Sequence, residues 1–311
     1  KISIFDILGL ALKYFHLGVL KMNLGWFPLL LIYIGTNTIS KIVQKLALRN
    51  DEVDSTAFTA LFMFTVGVIS TPFLLFEQVV FSLDIRAWAA VLSSGILYSA
   101  CMALFFHALK LIEISQVETV ATTRSIWAMF LGVIFFQEAL SLSKFIGVLL
   151  VFFGLAVIYW EKGKFQGFRK PHLYTLAYAF LISCAYALDK YALYYFSVVM
   201  YQVIIYIIPS FIIVIFRPGT IKKIQPLVKA QKSTWLILLC CCFQMVSTLA
   251  LYRAYQVGGE YSVVGPLTQL TTVLTIIIGI IFLKERWQLK RKIIGISLAI
   301  IGVVFIKVLY F

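Results

Sequence analysis

Residues Gly132–Trp160, GVIFFQEALSLSKFIGVLLVFFGLAVIYW, return near the C-terminus as Gly279–Ile306, GIIFLKERWQLKRKIIGISLAIIGVVFI. In each copy an apolar run leads to a glycine and, six residues later, to a glutamate (Gly132 and Glu138; Gly279 and Glu285). A short polar link follows, one residue longer in the second copy, and a new apolar run opens at Lys-x-x-Gly. A second glycine comes seven residues on (Gly147 and Gly154; Gly295 and Gly302). Seven residues are almost two helical turns, so each glycine pair shares one helix face where a neighbour can approach closely. The offset of about 148 residues is half of the 311-residue chain, which is therefore a duplicated unit. Whatever it folds into is built from two copies of one half.

The apolar runs decide the solvent. With 62% hydrophobic and 13% charged residues, the chain lies far from soluble averages. Its runs are long enough to cross a bilayer, which takes roughly 20 residues of helix. The five cysteines (Cys101, Cys184, Cys240, Cys241 and Cys242) fall inside these runs and lack metal-site spacing with histidine, so they read as small packing residues. A net charge of +14 does not point to nucleic acid, because the basic residues sit in short links between spans. There they set topology and meet anionic lipid.

Ten spans are predicted, near 24–46, 57–76, 87–109, 115–136, 145–160, 172–195, 197–216, 233–256, 261–283 and 292–309. Five fall in each copy. An odd number of crossings forces the second copy to enter from the opposite side, so the expected fold is all-α: a polytopic membrane protein of two five-helix inverted repeats. Residues 1–23 place Ser3, Asp6, Lys13 and His16 on one helical face and apolar residues on the other, the pattern of an amphipathic interfacial helix. The division expected is thus 1–23 for that segment, 24–160 for the first repeat, 161–171 for a basic linker and 172–311 for the second repeat. Links 1–2, 3–4, 5–6, 7–8 and 9–10 hold 17 of the 27 Lys and Arg, and the other face holds six. The positive-inside rule makes the first face cytoplasmic and turns the C-terminus outward.

The helix–Gly–x5–Glu–link–Lys-x-x-Gly–helix unit, present at the end of both five-span halves, resembles the drug/metabolite transporter superfamily, and within it the ten-helix EamA-type branch. The likeness covers residues 24–309. It implies a membrane carrier that moves metabolites by alternating access. Members are usually described with both termini in the cytoplasm, whereas these charges argue the reverse.

A charge inside a span costs roughly 2.5–3.5 kcal/mol at the centre on insertion scales, so the charged residues in the spans are the first candidates for function. Arg124 lies near the middle of span 4, in TVATTRS, beside Thr123. The matching part of span 9, GPLTQLTT, carries Gln269 and Thr271, so both copies place a polar block at one depth of one helix. Lys41 and Lys190 are repeat-related, each with a polar residue four positions earlier, Asn37 and Tyr186. Gln244 and Thr248 share a face of span 8, and Tyr98 is the first copy's counterpart of Gln244. Glu118 and Asp189 are the acids of the spans and the candidates for a coupling ion. The plain alternative makes one of them Arg124's structural partner. Glu138 and Glu285, at helix N-termini beside basic links, are explained by favourable charge placement alone.

There is no HExxH, GxSxG, P-loop or CxxC, and three histidines do not make a metal site, so neither an enzyme nor a cofactor is expected. Four basic residues in the spans (Lys41, Arg124, Lys190 and Arg253) against two acids favour a secondary transporter for a small polar, anionic or carboxylate-bearing metabolite. The alternatives are a flippase for a lipid-linked or amphiphilic substrate and a membrane-embedded structural subunit. The expected setting is a bacterial-type inner membrane, with the metabolite and membrane lipids as partners, no nucleic acid, and homo-oligomerisation left open.

The charge asymmetry makes its own prediction. Single cysteines placed in links 5–6, 7–8 and 9–10, on a background without the native five, should resist an impermeant thiol reagent applied to intact cells. Labelling from outside would reverse the orientation and leave the inverted repeat standing.

Overall fold

The computed structural model describes residues 25–49, 53–137, 142–161, 164–165, 169–229 and 231–283, with six residues between 294 and 302. The amphipathic segment expected at 1–23, Glu138, Glu285 and most of the tenth span lie outside the described residues. The helices follow the apolar runs. In the first half they are α1 (Trp26–Ala47), α2 (Ser55–Ser70, continued by a 3-10 turn to Phe76), α3 (Ile85–Leu111), α4 (Ile114–Ala121), α5 (Arg124–Phe136) and α6 (Leu142–Tyr159). A two-residue hairpin, Trp160–Glu161 against Lys164–Phe165, then occupies the central linker. The second half holds α7 (Lys170–Ala192), α8 (Val198–Phe216), α9 (Thr220–Lys229), α10 (Gln231–Gln256), α11 (Tyr261–Leu267) and α12 (Leu270–Phe282).

Eight segments among the described residues are long and apolar enough to span a bilayer, with α4–α5 and α11–α12 each counted as one. The architecture is an all-α, polytopic inverted repeat. Its packing shows the relation directly. Exchanging the halves turns the α1–α10 contact into α7–α3, turns α4–α12 into α11–α5, and maps α2–α8 onto itself. Among the described residues every large interface therefore joins one half to the other.

Polar residues at the span ends close the helices where carbonyls and amides run out of intrahelical partners. Asp54 accepts the amides of Thr56 and Ala57 at the start of α2, both at 3.0 Å. Asp84 takes the amide of Arg86 at the start of α3. At the other end of α3, Lys45 Nζ reaches from α1 to the carbonyls of Leu109 and Ile112 at 2.6 and 2.7 Å. The link between α8 and α10, expected as a basic surface segment, contains the helix α9, and its Lys223 pairs with Asp54 at 2.7 Å. On the opposite face Glu77 accepts the amide of Val199 in the first turn of α8. The outward surface is apolar, with Phe64, Phe130, Ile134, Phe211 and Ile215 exposed where hydrocarbon surrounds the bundle.

Glycines set the closest approaches. Gly147, Gly154, Gly295 and Gly302 are all buried, as their spacing predicts. A Cβ added to Gly154 would stand 2.6 Å from the Gly295 carbonyl oxygen, so the last helices of the two halves touch backbone to backbone. A Cβ added to Gly265 of α11 would stand 2.7 Å from the Ala128 methyl of α5, a second close approach between the halves. Without a hydrophobic drive between helices in lipid, such contact is a main source of association.

Gly154→Val should therefore cost about 1–3 kcal/mol, seen as a lower midpoint of thermal unfolding in detergent. Gly35→Ala is the control: nothing lies within 4 Å of its added Cβ, and no loss is expected.

Candidate functional site

The two polar blocks that the sequence places at one depth are where both helices break. Between α4 and α5 the residues Thr122 and Thr123 form a turn of tighter hydrogen bonds, with Ser125 N bonding to Thr122 O and Ile126 N to Thr123 O. Between α11 and α12 the break falls at Thr268 and Gln269. Hydroxyls return to the carbonyls the breaks disturb: Thr122 to Thr119 at 2.6 Å, Thr123 to Val120 at 2.9 Å, Ser125 to Thr122 at 2.7 Å and Thr268 to Gly265 at 2.6 Å. This is how a broken helix survives in hydrocarbon, and in transporters such breaks stand at midplane sites.

Arg124 is the first residue of α5 and is 3% exposed. Its carbonyl accepts Ser183 Oγ of α7 at 3.1 Å, while Tyr261 donates to the Ser183 carbonyl at 2.6 Å, so three helices fix the break. Its guanidinium is a different matter. Nε and Nη2 have no hydrogen-bond partner among the described residues. Neither acid supplies one. Glu118 Oε2 instead accepts Lys41 Nζ at 2.8 Å and Thr272 Oγ1 at 3.1 Å, a knot of α1, α4 and α12. Asp189 is held by hydroxyl groups elsewhere.

Arg124 opens into a narrow cavity of about 30 Å³ shared with Tyr33, Asn37, Lys41, Gln44, Tyr178, Tyr186 and Gln244. Phe62, Met102, Phe105 and Phe106 form its apolar wall. Other buried polar atoms in the chain's polar blocks also lack partners among the described residues: Asn37 Oδ1, Glu118 Oε1, Gln269 Nε2 and Thr271 Oγ1. Buried polar groups are nearly always paired, so these atoms on α1 and the two broken spans are exceptions, as are Ser197 Oγ and Gln202 Oε1 at α8.

The structure thus brings Arg124, Lys41, Asn37, Tyr186 and Gln244 around one cavity. Thr123, Gln269 and Thr271 lie at the breaks. Thr248 stands one layer out, bonded to Tyr206 at 2.9 Å and to Gln244 at 3.1 Å. Tyr98 is turned away to Asp189. Lys190 is not in the cavity wall; its ammonium lies 4.7 Å from the centre of the Phe136 ring. Arg253 lines a separate 500 Å³ pocket beside Glu77 and Gln256, on the face of links 2–3 and 6–7. Sequence reasoning missed Tyr33 and Tyr178. The signal was present: Tyr33, Asn37 and Lys41 form a stripe at four-residue steps, and Tyr178 lies eight residues before Tyr186.

The Lys41–Glu118 pair is buried, with side chains 6% and 0% exposed. Lys41→Met alone leaves Glu118 charged without a cation and should cost about 3–5 kcal/mol of thermal stability. Adding Glu118→Gln should recover most of that loss, which a double-mutant cycle in detergent would read.

Comparison with known proteins agrees with this architecture. No curated protein matches the sequence. Among solved structures, one described only as the crystal structure of a protein superposes with a TM-score of 0.67 at 16% identity, over 91% of this chain and 96% of its own. That likeness concerns the fold. The model of the EamA-like transporter family matches twice, over residues 21–160 and 169–308. Its members are transporters rather than enzymes, and with both halves matched, this multi-pass membrane protein belongs to the EamA-like transporter family.

Proposed function

We propose that the chain is a secondary carrier for a small polar metabolite bearing a carboxylate or another anionic group, working by alternating access from a bacterial-type inner membrane, with the basic links in the cytoplasm. The observation that carries this reading is the Arg124 guanidinium, buried at a helix break with Nε and Nη2 unpartnered among the described residues, while Glu118 bonds Lys41 and Asp189 bonds hydroxyls. An isolated cation is expensive at that depth, and a planar fork of donors suits a carboxylate or phosphate oxygen pair. Tyr33, Tyr178 and Tyr186 supply amphipathic walls around it. Lys41, neutralised by Glu118, completes the wall without adding a second free charge.

The size of the cavity supports alternating access. About 30 Å³ holds a water or two, whereas a site enclosing a metabolite needs roughly 300 Å³ or more. Substrate entry therefore requires the halves to separate on one face while the other stays closed. The large interfaces run between the halves, so a rocking motion of one against the other is the movement the packing permits.

The test is a thermal-shift screen of purified protein against amino acids, organic acids, nucleotide sugars and phosphate esters, repeated on two variants. Arg124→Gln should fold with unchanged or higher ligand-free stability, because no ion pair is lost, and should lose stabilisation by the anionic hit. Arg124→Lys should keep the charge without the fork and bind about tenfold to a hundredfold more weakly. Unaltered ligand response in Arg124→Gln would remove the residue from the mechanism.

A further inference from the structure

The acid that Arg124 does not use has an unusual setting. Asp189, near the end of α7, is 0% exposed. Oδ1 accepts Ser94 Oγ of α3 at 2.7 Å and the hydroxyl of Tyr201 of α8; Oδ2 accepts the hydroxyl of Tyr98 of α3 and that of Tyr252 of α10 at 3.0 Å. The titratable groups facing it are Tyr98 and Cys101 from α3, Tyr201 and Tyr206 from α8, and Tyr252 from α10. On its own helix, Tyr186 lines the cavity one turn earlier and Lys190 is turned to Phe136. Among the described residues Asp189 forms no ion pair.

A carboxylate without a cation is costly in hydrocarbon, and four donors offset only part of that cost. The donors have a second property: hydroxyls can accept as well as donate. When a proton adds to one carboxyl oxygen, one tyrosine hydroxyl turns from donor to acceptor and the cluster stays bonded in the new state. The site can hold either form. The two forms differ in grip, since hydrogen bonds to an ionised acceptor are roughly twice as strong as neutral ones.

Its position gives that difference a consequence. Asp189 joins α7 to α3, α8 and α10, at the end of the bundle that carries links 2–3 and 6–7. The repeat-related junction at the other end uses Ser40, whose Oγ donates to the Cys240 carbonyl at 2.8 Å and lies 3.3 Å from Gln244 Oε1. Ser40 precedes Lys41 as Asp189 precedes Lys190, and Gln244 is the counterpart of Tyr98. Two equivalent junctions thus close the two faces, and one of them is ionisable.

We propose that Asp189 is the proton-binding site of the carrier: its carboxylate holds the junction at the face of links 2–3 and 6–7 shut, and its protonation releases that face. This rests on the carrier reading and adds to it that transport runs on a proton gradient.

The test needs no substrate. On a background lacking native cysteines, Met102→Cys places a thiol in the cavity wall, and an impermeant thiol reagent is applied from one side at a time, in intact cells and in inverted vesicles, across a pH series. Labelling from the face of links 2–3 and 6–7 should rise as pH falls. Asp189→Asn, which imitates the protonated form, should label at all pH values as the parent does at low pH. Tyr252→Phe removes one donor from the carboxylate, should fold in any case, and should move the transition upward by roughly one pH unit. In parallel, infrared difference spectra of the purified protein should show a protonated-carboxyl band that grows with acid and is missing in Asp189→Asn. A pH-dependent labelling that survives in Asp189→Asn, or an unmoved transition in Tyr252→Phe, would overturn the proposal. If Asp189→Asn does not fold, the Tyr252→Phe shift alone decides. Since neither readout involves a metabolite, failure here leaves the Arg124 reading intact, and failure of the Arg124 screen leaves this one to stand or fall by itself.

Discussion

In the hydrocarbon core no water is at hand to satisfy a carbonyl or a charge, so a polar group in a span is satisfied within its own helix, as the hydroxyls of Thr122 and Thr268 are, or by a partner on another helix. Most of the polar architecture here follows from that constraint. Lys41, Glu118 and Thr272 tie α1, α4 and α12 into one knot; Asp189 gathers hydroxyls from three helices; Lys45 and Lys110 are spent on the carbonyls of helix ends and links. Against this background the atoms left unpartnered among the described residues stand out. Arg124, Asn37, Glu118, Gln269 and Thr271 all contribute one or more, and all lie on α1 or at the two broken spans.

The inverted repeat distributes the helices evenly but not the charges. The backbone relation is close enough that α1–α10 and α7–α3 are the same interface seen twice. At that interface one copy has Ser40 and the other Asp189; one lysine is paired with Glu118 and its counterpart rests on an aromatic ring. The symmetric frame thus carries unequal residues at equivalent places.

Much of the frame was legible in the chain. Among the described residues the predicted spans agree with the helices to within a few residues, for instance 24–46 against Trp26–Ala47 and 261–283 against Tyr261–Phe282, because continuous apolar runs bounded by charged links leave little freedom. The breaks in spans 4 and 9 were visible only as polar blocks. Threonine and glutamine tolerate a helix, and it takes the backbone hydrogen bonds at Thr122, Thr123 and Thr268 to show that the helices turn there.

By itself the sequence determined the duplication, the membrane setting, the span positions and the depth at which polar residues collect, since these depend on hydropathy and spacing along one chain. Which acid serves which cation was decided by the tertiary structure alone. Glu118 and Asp189 were equal candidates as partners for Arg124, and the packing gave Lys41 to the first and four hydroxyls to the second. Pairing in a low-dielectric interior depends on distances of a few ångströms between helices far apart in sequence, and on which groups have already been satisfied. Spacing along the chain carries neither.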